Sequence, residues 1–428
     1  MLHPPTLIKD LFAGPSKKIL LIEPPFYKLF GYERWHYPVT LTLVGTYLEE
    51  MGHNVKIYDA DMPTIKCKSL NRTEVRENYH LYKEALEDRT NPVWNEIKEK
   101  LLELNPDIIG LTSITAKIDS ANKIASICKE LFPDKVKVIL GGPHVQGMLK
   151  SYPDWDFGQN YDFIVPEIPE LVKRKPNKEL LINRKKYSAK NLTSILTSTG
   201  CPNSCTFCCN SYNKKIIYRD DSEVLEEIRE LRQEFKDQDK IYVIDDCIFS
   251  NKTRLYGVGA MMKENKFKFA GGARVMALSK EKIENFMENG GHRILLGIES
   301  GSQRILDTIN KHLQIKEIRN RTCWLRDFKL PWSAFIMAGF PFESLNDLKL
   351  TEELIYELEP NFISLNRFTP YPGTKIWEDY YKDIEIDFKN LYQLNPNSTV
   401  VKLDDQREDY IEKMFRDFDN YNLRKASS

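Results

Sequence analysis

Short apolar runs separated by helix-length stretches recur in two series along this chain, and that rhythm restricts the fold more than any other feature. In the first series, runs at 18–22, 54–58, 107–111, 136–140 and 161–165 alternate with helical stretches such as 40–50 and 119–131. Continuous apolar runs of this length suit strands buried on both faces, and strands joined by helices pair in parallel through right-handed crossovers. The expectation is a doubly wound α/β domain over residues 1–175. Within it, a charged stretch at 64–104 reads as a solvated helical face, and the basic stretch at 176–193 reads as a linker.

The second series has runs at 194–198, 240–244, 268–271, 293–296, 333–337 and 362–365, six strand-plus-helix units between 194 and 380. A complete eight-unit barrel takes about 250 residues, so six units predict a partial (β/α)6 barrel with an open side. Residues 381–428 are then a short C-terminal helical extension, with 407–424 read as a surface helix. In both architectures ligands collect at the carboxyl ends of the strands. In the first domain those ends carry Pro24, Asp59, Ser113, Gly141 and Gly142. The two glycines either let backbone approach a ligand closely or make an ordinary tight turn. No fingerprint of three spaced glycines follows the first strand, which disfavours a nicotinamide or flavin site.

The loop after the first strand of the second series carries Cys201, Cys205 and Cys208. Iron–sulfur clusters are normally held by four thiolates, so a cubane on three leaves one iron open to an outside ligand. A structural zinc also suits short Cys spacings, but it needs a fourth ligand. Cys209 adjoins Cys208 and is poorly placed to supply it, and Cys247 comes from another element.

Composition sets the setting. The 428 residues include 62 basic and 62 acidic side chains, a formal net charge of zero, so no single-sign field draws the chain to nucleic acid or an anionic membrane. No apolar run approaches the roughly 18 residues needed to span a bilayer, and the first residues lack the apolar core of a signal peptide. Eight Cys, three of them clustered, suit a reducing compartment. The expected location is the cytoplasm, with an exposed cluster favouring anaerobic conditions.

The three Cys with Phe207 before the third, at the end of a first barrel strand, resemble the radical S-adenosylmethionine (SAM) superfamily. Residues 38–53, Asp59 to Asp61 and residues 141–144 are similar to the Rossmann-like cobalamin-binding domain of the class that includes radical SAM methylases and the anaerobic magnesium-protoporphyrin cyclase. Arg219, Asp245, Asp246, Arg274, residues 297–300, 339–341 and 370–374 fall in the order that this class uses. The resemblance covers residues 18 to about 380.

The resemblance implies a 4Fe-4S cluster on Cys201, Cys205 and Cys208, whose open iron binds the amino and carboxylate groups of SAM and yields a 5'-deoxyadenosyl radical. Arg274 is then the partner of the carboxylate, as a planar fork of donors. Glu299 and Ser300 serve the ribose or the amino group, with Asp246 a second candidate for the latter. Phe207, Phe340 and Tyr371 supply apolar walls near adenine. Cobalamin would lie against Ser113, Gly141 and Gly142, with His144 either touching its side chains or serving the turn. The Asp-x-His-x-x-Gly pattern is missing, so a corrinoid here is expected without a protein His on cobalt. The Gly-Glu-Gly-Glu-like turn of the class is replaced by Val-Pro-Glu-Ile-Pro-Glu at 165–170. The expected activity is cobalamin-dependent methylation of an unactivated centre, served by an electron donor such as flavodoxin or ferredoxin. The alternative is a cobalamin-independent radical dehydration, cyclisation or rearrangement, with Cys247 or Cys209 returning a hydrogen atom.

Overall fold

A computed structural model describes residues 11–32, 36–62, 72–168, 171–209, 215–385, 387–396 and 400–427. Residues 169 and 170 of the substituted turn lie outside this set. The chain divides into two compact units: residues 1–70, 74–192 and 370–398 form the first, and residues 71–73, 193–369 and 399–428 form the second. The boundary expected at 193 falls within a residue of the division between Leu192 and Thr193, whereas those expected at 175 and 380 do not coincide with a division. The stretch read as a linker packs into the first unit, because Ile182 bonds to the backbone of Ile57 and the Tyr187 hydroxyl donates to Asp59.

The first unit is built on a parallel sheet of β1 (Lys18–Glu23), β2 (Asn54–Asp59), β3 (Ile108–Thr112), β4 (Lys137–Gly141) and β5 (Phe163–Val165), in the order β2-β1-β3-β4-β5. The order reverses between β1 and β3, the position where doubly wound sheets open a crevice. Helices α1 (Val39–Glu50), α2 (Pro92–Leu104), α3 (Ile118–Leu131) and α4 (Pro143–Ser151) belong to this unit. The start of α2 follows from local chemistry, since the Asn91 side chain accepts from the Val93 N–H and Pro92 takes the first turn. The described part of the 64–104 stretch is not a solvated face. Trp94, Ile97 and Leu101 of α2 join Leu20, Ile109, Val138 and Ile124 in the core, a consequence of their spacing on one helix face.

The second unit holds six parallel strands in the order β13-β12-β11-β10-β9-β6: β6 (Ser194–Ile195), β9 (Lys240–Val243), β10 (Lys268–Arg274), β11 (Gly291–Glu299), β12 (Trp332–Ala338) and β13 (Phe362–Arg367). Helices α5 (Asp221–Glu234), α6 (Lys252–Glu264), α7 (Lys280–Glu288), α8 (Ile315–Asp327) and α9 (Leu345–Leu358) alternate with them. The expected first strand at 194–198 is interrupted. Its second piece, β7 (Ser198–Thr199), pairs antiparallel with β8 (Ile217–Tyr218). Buried Asp245 causes the break by accepting from the Thr197 N–H at 2.6 Å and from the Thr197 and Ser198 hydroxyls, both at 2.6 Å.

The final helix, α10 (Asp405–Ser427), is more than the surface helix its charge pattern suggests. It buries Ile411, Met414, Phe415, Phe418 and Tyr421. The Asn422 side chain accepts from the Ile363 N–H and donates to the Ile363 carbonyl, each at 2.8 Å, so it copies a strand pairing on the edge of β13. An unpaired sheet edge invites association, and a helix laid over it removes that hazard.

Candidate active site

Which face of the six-stranded sheet is open follows from the strands themselves. The Phe269 ring packs 4.7 Å from Phe286 of α7, so alternate residues of β10 from Phe269 face the helices. The intervening residues share register with Arg293, Leu295 and Gly297 on β11, then with Ser333 and Phe335 on β12, then with Ser364 and Asn366 on β13. Gly272, Arg274, Leu295, Gly297, Phe335, Met337 and Asn366 on this face are half-buried, whereas Ile294, Leu296, Ile336 and Ile363 on the other are fully buried. The inner face is therefore a partly open surface, apolar in the middle and ending at Arg274.

The Cys loop stands at the carboxyl end of these strands. Cys205 is buried, and burial raises its thiol above the ordinary range, opposed by the charges of Lys311 and Arg274. Cys201 is electrostatically coupled to both Cys205 and Cys247, and the Cys208 N–H bonds to the Cys205 carbonyl at 3.2 Å. Burial likewise raises the Cys247 thiol. Among the described residues no three His, Cys, Asp or Glu side chains converge as they would on a single metal ion. Zinc requires such convergence. A cubane presents a separate iron to each thiolate, so its anchors need not meet at one point.

Three attachments shape the loop. Asp246 accepts from the Gly200 N–H at 2.7 Å, just before the first Cys. Arg274 bonds to the Asn203 side chain and donates through Nη2 to the Lys311 carbonyl at 2.6 Å. From the other side, the Thr206 N–H bonds to the Ile309 carbonyl at 3.0 Å, and Asn310 donates to the Ser204 carbonyl at 2.9 Å. Among the described residues, Arg274 Nε and Thr206 Oγ1 are buried here with no hydrogen-bond partner. An unpaired buried guanidinium nitrogen is costly, and an anionic ligand would remove that cost. This vacancy fits the carboxylate of an amino-acid moiety.

Other residues singled out from the sequence fall variously. Glu299 is paired with Lys311 at 2.6 Å, both nearly buried. The Phe207 ring lies 6.4 Å from Phe340, which also stacks on Phe368 at 4.6 Å, so these form a real apolar wall. Ser300 is fully buried, its hydroxyl 3.0 Å from Thr351 and accepting from the Ser302 N–H. That places its hydroxyl inside the turn rather than at a ligand. Arg219 is a brace, bonded to Glu227 at 2.6 Å and to the Leu196 carbonyl at 2.8 Å. Tyr371 belongs to the first unit.

In the first unit, the carboxyl end of β1 is occupied by the unit's own side chains. Lys117 pairs with Glu23 at 2.6 Å and Asp61 at 3.0 Å, all three buried. Ser113 is buried and donates to the Ile114 carbonyl at 2.8 Å. Gly142 has φ of 102°, and a Cβ there would meet the Ser113 carbonyl at 2.8 Å, while one on Gly141 would meet the Val165 carbonyl at 3.0 Å. The glycines thus let neighbouring backbone close in. His144 is buried 3.2 Å from the Thr115 hydroxyl and 5.0 Å from the Phe388 ring, and burial pushes its pKa down to about 3. It lies in the first turn of α4 and bonds within its own unit.

Residues 195–355 match the model of the Radical SAM superfamily. Those residues, which make up most of the second unit, form a radical SAM domain. The chain is 24% identical over 368 residues to an uncharacterized methyltransferase of Pyrococcus horikoshii, covering 76% of this chain and 80% of that protein. It is 21% identical over 395 residues to the anaerobic magnesium-protoporphyrin IX monomethyl ester cyclase of Cereibacter sphaeroides, covering 77% of this chain but only 62% of the cyclase. Among solved structures, the radical SAM methyltransferase TsrM from Kitasatospora setae, with cobalamin and a [4Fe-4S] cluster bound, shares the fold at a TM-score of 0.56 and 14% identity, over 85% of this chain and 77% of that one. Among the described residues no helix is long and apolar enough to cross a membrane.

Within the radical SAM domain, the Cys loop is held by residues that the strand pattern did not reveal. Asn203, Asn310 and Lys311 shape the Cys loop, yet each lies in a connection between regular elements. Asn310 and His312 both have left-handed backbone, φ 54° and 50°, so the chain bends on either side of Lys311, which no residue pattern announced.

Proposed function

We propose that this radical SAM enzyme holds a 4Fe-4S cluster on Cys201, Cys205 and Cys208, cleaves SAM reductively there, and methylates an unactivated centre with cobalamin as methyl carrier. The observation that carries the proposal is the meeting of the Cys loop with the buried, unpaired Nε of Arg274 at the end of a half-open sheet face. When bound, the cluster supplies an electron to the SAM sulfonium, and cobalamin supplies a transferable methyl group. Arg274 binds the SAM carboxylate through its vacant edge. Glu299 accepts from the amino group, and Phe207 and Phe340 wall the adenine. Asp246 and Asn203 fix the loop so that the thiols are held in place before any ligand arrives. Leu295, Phe335 and Met337 on the inner face receive the apolar part of the substrate, and the buried wall around them limits water.

Support for cobalamin comes from the fold shared with TsrM and from the doubly wound first unit, not from Ser113, Gly141 or Gly142, which are taken up by the unit's own packing. The second reading, in which the same radical drives a cyclisation or related reaction without a methyl donor, has less support than methylation, which the methyltransferase relative and the fold of TsrM favour. A flavodoxin- or ferredoxin-type donor in an anaerobic cytoplasm would deliver the electron. Anaerobic reconstitution with iron, sulfide and methylcobalamin, followed by incubation with methyl-labelled SAM and a low-potential reductant, tests the proposal. The expected result is retained corrinoid absorption after gel filtration with 5'-deoxyadenosine formation. Deoxyadenosine without retained corrinoid selects the second reading, and neither product from a protein with full iron content defeats both.

A further inference from the structure

The segment Ile309 to Lys311 grips the Cys loop at three successive residues. Ile309 accepts from the Thr206 N–H at 3.0 Å, Asn310 donates to the Ser204 carbonyl at 2.9 Å and lies 3.0 Å from its hydroxyl, and the Lys311 carbonyl accepts from Arg274 at 2.6 Å. The loop is thereby joined to Lys311, whose own ammonium turns inward. Its Nζ lies 5.9 Å from the centre of the Phe207 ring, the residue before Cys208, and 2.6 Å from Glu299. Gly297 makes the room: a Cβ there would meet Glu299 Oε1 at 2.5 Å and Lys311 Nζ at 3.0 Å. The ammonium is almost fully buried, so its field is weakly screened by salt.

A cluster anchored on Cys205 gains one negative charge when it takes up an electron, and cluster potentials respond to net charge and hydrogen bonding around the sulfurs. A buried cation beside the loop favours the reduced state, and a buried carboxylate opposes it. We propose that the Lys311–Glu299 pair is a charge-setting device for the cluster, in which Lys311 raises and Glu299 lowers its reduction potential while residues 309–311 position the Cys loop. This rests on the cluster reading above. The step is a one-electron reduction of the cluster from the 2+ to the 1+ state by an external low-potential reductant, with no proton or group transferred. Toward the cluster, Lys311 acts through its charge and through loop placement, and Glu299 acts through its charge alone, apart from its place at the SAM amino group.

The test is an anaerobic redox titration of the reconstituted full chain, without SAM, followed by the EPR signal of the reduced cluster, with iron and sulfide measured on each sample. Lys311→Met is expected to lower the reduced-to-oxidised ratio about tenfold at a given potential, about 59 mV for one electron. Lys311→Arg, which keeps the charge, should restore the wild-type ratio, and Glu299→Gln should move it the opposite way from Lys311→Met. Opposite signs separate a charge effect from loosened structure, which would move both variants alike. Unchanged potentials, or shifts of one sign, in variants with full iron content overturn the inference. Should Lys311→Met fail to hold a cluster, the sign of the Glu299→Gln shift decides. A wild-type chain that binds no iron overturns the cluster reading itself, a result visible before any potential is measured.

Discussion

At the carboxyl end of β1 in the first unit, a lysine and two carboxylates are packed together out of water; beside the carboxyl end of β10 in the second, a guanidinium nitrogen is buried with nothing to accept from it. Both places are where α/β sheets bind ligands. The first has satisfied its polar groups internally through Lys117, Glu23 and Asp61, with Asp61 also accepting from the Phe26 N–H at 2.6 Å and the Lys28 N–H at 3.0 Å. The second keeps a half-open face and a loop whose donors are not all used. The contrast teaches that equivalent topological positions need not carry equivalent chemistry: a closed ion-pair group stands at one, and a guanidinium with a nitrogen to spare stands at the other.

The largest expected effect lies on the open side. Cys205→Ala should remove the cluster and all SAM cleavage while leaving the far-ultraviolet circular dichroism intact; persistent deoxyadenosine formation would mean that the reactive loop has been misplaced. Next comes the closed side. Lys117→Met strands two buried carboxylates, and breaking such a group costs about 3–5 kcal/mol, measurable by urea unfolding. If stability barely changes, the end of β1 is wetter and more open than its burial implies. Gly142→Ala tests the same region more gently. Its φ of 102° and the 2.8 Å approach of the Ser113 carbonyl predict a loss of about 1–3 kcal/mol with no ligand present. An unaltered fold that had lost only corrinoid binding would instead make the glycine a ligand contact.

The smallest effect concerns pH, and the two units respond in opposite directions. Burial raises the Glu343 carboxyl to about 8, although its Oε2 accepts from the Gly339 and Phe340 N–H groups. Between its ordinary range and about 8 the folded second unit therefore holds a proton that the unfolded chain releases, so stability falls as pH rises through that window. Glu343→Gln should flatten the fall. His144 works the other way. Its depressed pKa means that the unfolded chain gains a proton first, so stability of the first unit declines as pH drops from about 6.5 toward 3. Thermal melts of wild type and Glu343→Gln at pH 6 and pH 8 would show whether the Glu343 slope exists, and wild-type melts at pH 6 and pH 4 would show the His144 slope; parallel melts at pH 6 and pH 8 would remove Glu343 from the account.

Much of the fold was legible because buried parallel strands demand continuous apolar residues. The runs expected at 54–58, 240–244 and 362–365 correspond to β2, β9 and β13 with ends shifted by a residue or two. Failures came where a side chain overrode periodicity. Asp245 breaks the strand at Thr197, and Ser300 turns into a network with Thr351 instead of toward a ligand. Asn422 was unreadable for a different reason: a single polar residue on a charged helix gives no hint that it will pair with a strand edge.

Local covalent pattern alone determined the alternation of strand and helix and the three thiols at spacings that suit a cluster, because those depend on residues near one another in the chain. Only the tertiary structure decided which strand ends stay open, that Lys311 and Glu299 meet over Gly297, and that residues 370–398 belong with the first unit. Those outcomes depend on groups brought together from far apart in the chain, where burial and hydrogen-bond satisfaction, rather than neighbouring residue types, set the free energy.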